Sequence, residues 1–141
     1  MFSKSCKYAL RAVLYLAANT HETKKAGAKL IAETLEVPQP FLSKILQQLA
    51  RHKLIASTKG PNGGFYLDEE KNKTSLRAVI ECIEGPEIFT SCILGLPVCS
   101  AENPCPLHNE AVIYRKGIET YIANRSIEAF VKQIHDQDLR I

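Results

Sequence analysis

Six consecutive residues of turn chemistry, Lys59-Gly60-Pro61-Asn62-Gly63-Gly64, constrain this chain more than any other stretch. Glycine and proline at that density exclude a helix, because proline lacks a donor and glycine surrenders the most backbone entropy. Leu54 to Thr58 on one side and Phe65-Tyr66-Leu67 on the other carry the branched and aromatic residues of strands, so the segment reads as a β-hairpin. Two short strands cannot stand alone in water. The hairpin must lean on its neighbours, and these read as helices.

Ser3 to Asn19 forms the first predicted helix, with Leu10, Val13, Leu14 and Ala17 at helical spacing and Tyr8, Ala12 and Tyr15 widening the apolar face. After the polar stretch Thr20 to Gly27, a short helix from Ala28 to Leu35 turns Leu30, Ile31 and Leu35 inward, and Glu36-Val37-Pro38 interrupts it. A third helix starts near Pro40 and runs to about His52, burying Phe41, Leu42, Ile45, Leu46 and Leu49. Its other face carries Ser43, Lys44, Gln47, Gln48 and Arg51. Two short helices joined by a tight turn match a helix-turn-helix. An ordinary helical hairpin with a solvated face would look the same as far as His52. The hairpin that follows tips the balance, because it is a wing placed directly after a recognition helix. The fold class is therefore mainly α with a small β-hairpin, a winged helix-turn-helix. Its recognition helix suits a major groove, and Lys59 with the close-approaching backbone of Gly60, Pro61, Asn62, Gly63 and Gly64 suits a minor groove.

Charge is distributed accordingly. Residues 1 to 60 hold ten Lys or Arg against three Glu, and residues 61 to 141 hold eight against twelve Asp or Glu, so a net charge of only +3 conceals a basic N-terminal half. Such a half favours an anionic partner such as double-stranded DNA, whose counterions are released on binding. No phosphate loop, nucleophile elbow or paired acid-base constellation is present, which argues against an enzyme. The opening Met1 to Lys7 has no apolar leader and no run of eighteen apolar residues occurs, so the expectation is a cytoplasmic protein without a membrane span.

In the second half, Thr74 and Ser75 are candidate caps for a helix from Leu76 to about Ile83, stopped by Gly85-Pro86. Residues 87–106 show no regular pattern. From Pro106 to about Ala123 a helix places Leu107, Ala111, Tyr114, Ile118 and Tyr121 at alternating spacings of four and three, a heptad seam that can pair with a second copy of the chain or pack on the first helix. Ser126 can cap a last helix to His135. The expected organisation is a winged helix-turn-helix domain over 1–84, a cysteine-bearing loop over 85–106, and a dimerisation helix with a C-terminal helix over 107–141.

That loop holds three of the five cysteines, Cys92, Cys99 and Cys105, spaced C-x6-C-x5-C, with His108 completing C-x2-H. Three thiolates in a segment rich in glycine and proline suit an iron-sulfur cluster or a zinc ion, or stand as plain reduced thiols. Zinc sites usually pair their ligands as tight knuckles, and their absence favours a cluster. Cys6 and Cys82 fall within helices and read as small hydrophobes.

Four stretches resemble the Rrf2 family of winged-helix regulators over essentially the whole chain: Lys7-Tyr8-Ala9-Leu10-Arg11-Ala12, the run from Pro40 to Leu49, the wing Lys59 to Phe65, and the three spaced cysteines. The resemblance implies a homodimer on a palindromic operator, a repressor whose DNA binding responds to redox state, nitric oxide or iron-sulfur status. It implies Cys92, Cys99, Cys105 and His108 as ligands of a 2Fe-2S cluster ahead of a 4Fe-4S one. In the family's nitric-oxide sensors the fourth ligand is an acidic residue of the partner's first helix, and Lys7 stands there instead. It also implies Pro40, Ser43 and Lys44 as base-contacting positions, with Ser43 replacing an acidic residue and Lys59 replacing a common arginine. A cluster-free or zinc-binding regulator of the same family is the alternative, and a small iron-sulfur redox protein a more distant one.

Overall fold

The computed structural model describes residues 1–141. Seven α-helices and one hairpin follow in the order α1 (Lys4–Asn19), α2 (Ala28–Leu35), α3 (Gln39–Arg51), β1 (Ala56–Thr58), β2 (Gly64–Tyr66), α4 (Glu69–Asn72), α5 (Leu76–Glu84), α6 (His108–Ala123) and α7 (Ile127–Gln137), with a 3-10 turn over Pro86–Phe89. The mainly helical, winged architecture is the one anticipated, although α4 and the 3-10 turn went unread. No helix is long and apolar enough to cross a membrane.

Helix α1 is the axis. Ser3 caps it by accepting from the Cys6 N–H, and its buried stripe is Cys6, Ala9, Ala12, Val13 and Leu16. This stripe lies about one position off the predicted one: Leu10, Leu14 and Ala17 are only half-buried at its border. Against it pack α3 through Leu42, Ile45, Leu46 and Leu49, α5 through Val79 and Ile80, and α7 through Ile127, all within one apolar cluster. Leu30 of α2 and Phe41 of α3, both expected inside, are 52% and 41% exposed. Phe41 instead meets Tyr8 edge to face at 5.7 Å between ring centroids.

The hairpin pairs Ala56 with Tyr66, Ser57 with Phe65 and Thr58 with Gly64. Its base gains a third member from the stretch read as a connector: Ala26 and Phe65 exchange backbone hydrogen bonds at 3.0 and 2.8 Å. The Thr20 hydroxyl donates to the Leu16 carbonyl and accepts from the Leu67 N–H, tying the end of α1 to the strand exit. The wing is therefore fixed at its root on two sides.

Helix α7 is joined to α5 by a backbone bridge, with the Ile127 N–H donating to the Thr74 carbonyl at 2.8 Å. Ser75 and Ser126, the caps of α5 and α7, face each other across this bridge. The last turns of α6 and the start of α7 share the core of the winged-helix portion through Ile122 and Ile127.

Two wing glycines are sterically required. A Cβ on Gly63 would collide with the Thr58 carbonyl, and Gly64 has φ +151° with the Ala26 carbonyl oxygen 2.9 Å from where its Cβ would sit. Gly64→Ala should therefore lower unfolding stability by about 1–3 kcal/mol, read from the midpoint of chemical denaturation, while a surface change such as Asn62→Ala should leave the midpoint in place.

Candidate nucleic-acid interface and thiol centre

Pro38 and Pro40 set where α3 begins, and its amphipathic pattern leaves a polar face outward. Pro40, Lys44, Gln47 and Arg51 are exposed, with Ser43 half-buried beside them. Gln47, Arg51, Ser57, Thr58 and Lys59 border one notch of about 490 Å³ between α3 and the hairpin. Helix and wing thus present cations to the same side. Gly60, Pro61 and Asn62 stand fully exposed at the wing tip, while Gly63 and Gly64 sit partly covered at its return. Gln48 behaves differently. Its side-chain amide donates to the Cys82 carbonyl at 2.9 Å, so it ties α3 to α5.

The loop between the 3-10 turn and α6 brings its cysteines together. The three sulfurs of Cys92, Cys99 and Cys105 lie within 4.8 Å of one another, and those of Cys92 and Cys105 are 3.7 Å apart. His108, at the first turn of α6, places Nδ1 3.1 Å from the Cys99 sulfur. Short local bonds hold this convergence. The Gly95 N–H donates to the Cys92 carbonyl, the Cys105 N–H approaches the Cys99 sulfur at 3.5 Å, and the His108 N–H donates to the Cys105 carbonyl. Cys105 is buried, Cys92 and Cys99 are half-buried, and the intervening Ile93, Leu94, Leu96 and Val98 are exposed.

The donor set fits a metal group. Tetrahedral ligation at a metal–sulfur length of about 2.3 Å separates sulfurs by about 3.8 Å, which the Cys92–Cys105 pair already matches. Backbone hydrogen bonding at Leu96, helped by Leu94 and the Cys105 and Cys99 thiols, pulls the Cys92 thiol down to about 7. Burial, reinforced by the neighbouring thiols, pushes Cys105 up. A thiol that ionises readily beside two more is chemistry suited to metal capture. Cys6, by contrast, is pushed up to about 12 by burial and by Glu84 beside it.

Helix α6 divides the predicted heptad seam. Ala111 is buried, Ile118 is half-buried and packs on the chain's own core, and Leu107, Tyr114 and Tyr121 are exposed. Tyr121 holds Arg125 over its ring at 4.3 Å and meets Phe130 edge to face. Val112, Ile113 and Gly117 are exposed as well, Ile113 the most of the helix's large apolar side chains.

The Rrf2 family profile, described as iron-dependent transcriptional regulator, matches residues 2–133. The chain belongs to the Rrf2 family. A protein of Aquifex aeolicus that carries the name HTH-type transcriptional regulator is 32% identical over 133 residues, covering 93% of this chain and 91% of that one. The HTH-type transcriptional regulator NsrR of Halalkalibacterium halodurans is 30% identical over 122 residues, 81% of each chain. Among solved structures, IscR of T. potens superposes with a TM-score of 0.73 at 20% identity, covering all of this chain and 93% of that one, a likeness of fold. This Rrf2 protein is accordingly a transcriptional regulator and not an enzyme.

In metal-free protein, iodoacetamide should label Cys92 with a rate that rises through pH of about 7. Cys6 should stay unlabelled until the chain unfolds. Peptide mapping by mass spectrometry checks both, and labelling of Cys6 ahead of Cys92 would contradict this ordering.

Proposed function

We propose that this Rrf2 regulator is a homodimeric repressor that binds a palindromic operator through α3 and the wing, and that an iron-sulfur cluster on Cys92, Cys99, Cys105 and His108 controls that binding. The observation that carries the reading is the convergence of three thiols at the head of α6, with the His108 imidazole beside one of them, Cys99. A cluster held there supplies a redox-active group open to oxidants and nitric oxide. A 2Fe-2S core suits the Cys3His donor set better than a 4Fe-4S one, and the iron dependence in the family description supports iron.

On the DNA side, α3 enters the major groove with Pro40, Ser43 and Lys44 toward base edges and Gln47 and Arg51 toward the backbone. Lys59 and the Gly60–Gly64 tip follow the adjacent minor groove. Gln48 serves instead as a tie from the recognition helix to α5. Coupling from the loop to this face has a route in the chain's own contacts. Buried Phe89, three residues before Cys92, lies under the Arg77 guanidinium at 5.6 Å. Arg77 pairs with Glu81 on α5 and with Glu119 on α6 at 2.7 and 2.9 Å. Any change in how the loop is ordered therefore bears on the angle between α5, which holds α3, and α6, which carries the second subunit. For the dimer seam, Leu107, Tyr114 and Tyr121 are kept, joined by Ile113 and Gly117 in place of the inward Ala111 and Ile118.

A second reading has one specific support: the 3.7 Å separation of Cys92 and Cys105 fits two ligands of a single zinc ion. The visible spectrum of anaerobically purified protein separates the two. Charge-transfer absorbance with stoichiometric iron and sulfide supports the cluster, and a colourless protein with one zinc per chain overturns it.

Lys44→Ala and Lys59→Ala should each weaken operator binding and reduce the slope of log affinity against log salt by about one, leaving the dimer intact. Fluorescence anisotropy at several salt concentrations tests this. Unchanged affinity and slope in both would remove the docking face.

Ile113, 68% exposed, is the cleaner dimer probe, since Ile118 also packs in its own core. Ile113→Glu should sediment as a monomer with an unchanged helical spectrum, and operator affinity should fall at least tenfold because each subunit alone reads one half-site.

A further inference from the structure

Arg115 is the one cation of the chain sealed in its interior. It is 6% exposed, and its Nε and Nη1 atoms are buried with no hydrogen-bond partner. A guanidinium stays charged at any physiological pH and brings five donors that want acceptors, so a stranded one implies a counter-charge supplied by another state of the molecule. The chain's own acids do not provide it. Glu119 borders the same cavity of about 320 Å³, but its two carboxylate oxygens go to Arg77 and Lys116.

The other groups around that cavity indicate where the missing charge lies. Phe89, Thr90 and His108 line it with Arg115. Thr90 also lines the neighbouring cavity beside Cys92 and Cys99. His108, Ala111 and Arg115 share one face of α6, and helix side chains lean toward the N-terminus. That lean directs the long Arg115 side chain toward the helix turn that begins with His108, which lines the same cavity and approaches the Cys99 sulfur. Three thiolates and a neutral imidazole around a divalent ion or an oxidised 2Fe-2S core carry a net negative charge, and one-electron reduction adds another.

We infer that Arg115 is a positioning residue for the metal site: its buried guanidinium is the counter-charge of the Cys92, Cys99, Cys105 and His108 centre, strengthening metal binding and favouring the reduced state. The inference rests on the metal-site reading proposed above and goes beyond it in assigning a residue outside the ligand set. It also gives the head of α6 a reason to respond to the site's charge, since the same helix carries Arg115 and the outward face.

The test uses Arg115→Met, which keeps length and removes charge, and Arg115→Lys, which keeps charge. For zinc, affinity measured by chelator competition should fall at least tenfold in Arg115→Met and recover most of that loss in Arg115→Lys. For the reconstituted cluster, the midpoint potential in a dye-mediated titration should fall by about 59 mV or more in Arg115→Met, a tenfold change for one electron, and by less in Arg115→Lys. Thermal melting of the metal-free protein should hold or rise in Arg115→Met, because an unanswered buried charge is gone. Unchanged affinity and potential in a variant that still binds metal would overturn the inference alone. So would equal destabilisation of metal-free and loaded forms, which marks a packing role, or loss of the dimer with metal affinity intact, which places the acceptor on the partner subunit. If the wild-type chain binds neither zinc nor a cluster, the metal-site reading falls and takes this one with it.

Discussion

Burial of the α1 stripe is the constraint on which everything else rests. Cys6, Ala9, Ala12, Val13 and Leu16 are wholly removed from water, and every helix that positions a functional group packs on this face or on its neighbours. Ala9 and Ala12 are buried without bulk in this face, while Val13 and Leu16 supply the apolar area, at about 1.5–3 kcal/mol for each large side chain buried. Because α3 takes its bearing from this contact, the polar face of the recognition helix is aimed by what α1 buries. The thiol of Cys6 shares in this as packing, its proton held firmly by its surroundings.

The wing shows how a weak element is made dependable. Three residue pairs would not hold a hairpin in water. The added ladder to Ala26 and the Thr20 bridge supply partners for backbone groups that a bare hairpin would leave to solvent. Glycine at 64 lets the returning strand come close enough to Ala26 for that pairing to form, and glycine at 63 lets the turn close against the Thr58 carbonyl. The tip itself, Lys59 to Asn62, stays exposed, as loops do.

Around the thiol loop, charge does the organising. Arg77, Glu81, Glu119 and Lys116 form a surface lattice between α5 and α6, individually weak because water screens them. Arg115 lies deeper, where screening fails and an unanswered cation is costly. The loop that follows Phe89 thus ends at a helix that holds one buried charge and part of a lattice of exposed ones. Arg77 of α5, over Phe89 and paired with Glu119 of α6, ties both helices to the turn that precedes the loop.

Much of this protein was legible in one dimension. The density of turn residues at 59–64, the break at Pro38 and Pro40, and the spacing of Cys92, Cys99, Cys105 and His108 are local features whose physics acts over a few residues, so the winged helix-turn-helix and the clustered thiols could be read from them. Which face of an amphipathic helix lies deepest is a different matter. Leu10 and Leu14 match the helical period as well as Ala9 and Val13 do, and only the partners assembled around α1 choose between them. The same holds for α6, where Ala111 and Ile118 turn inward in a helix against which α5 and the Pro86–Phe89 turn pack from distant sequence. The Ala26 bridge, the Gln48 tie to Cys82 and the stranded guanidinium of Arg115 have no periodicity to announce them. Each is a statement about which groups find acceptors once the chain has closed on itself, and hydrogen bonds between residues far apart in sequence are decided by tertiary packing alone.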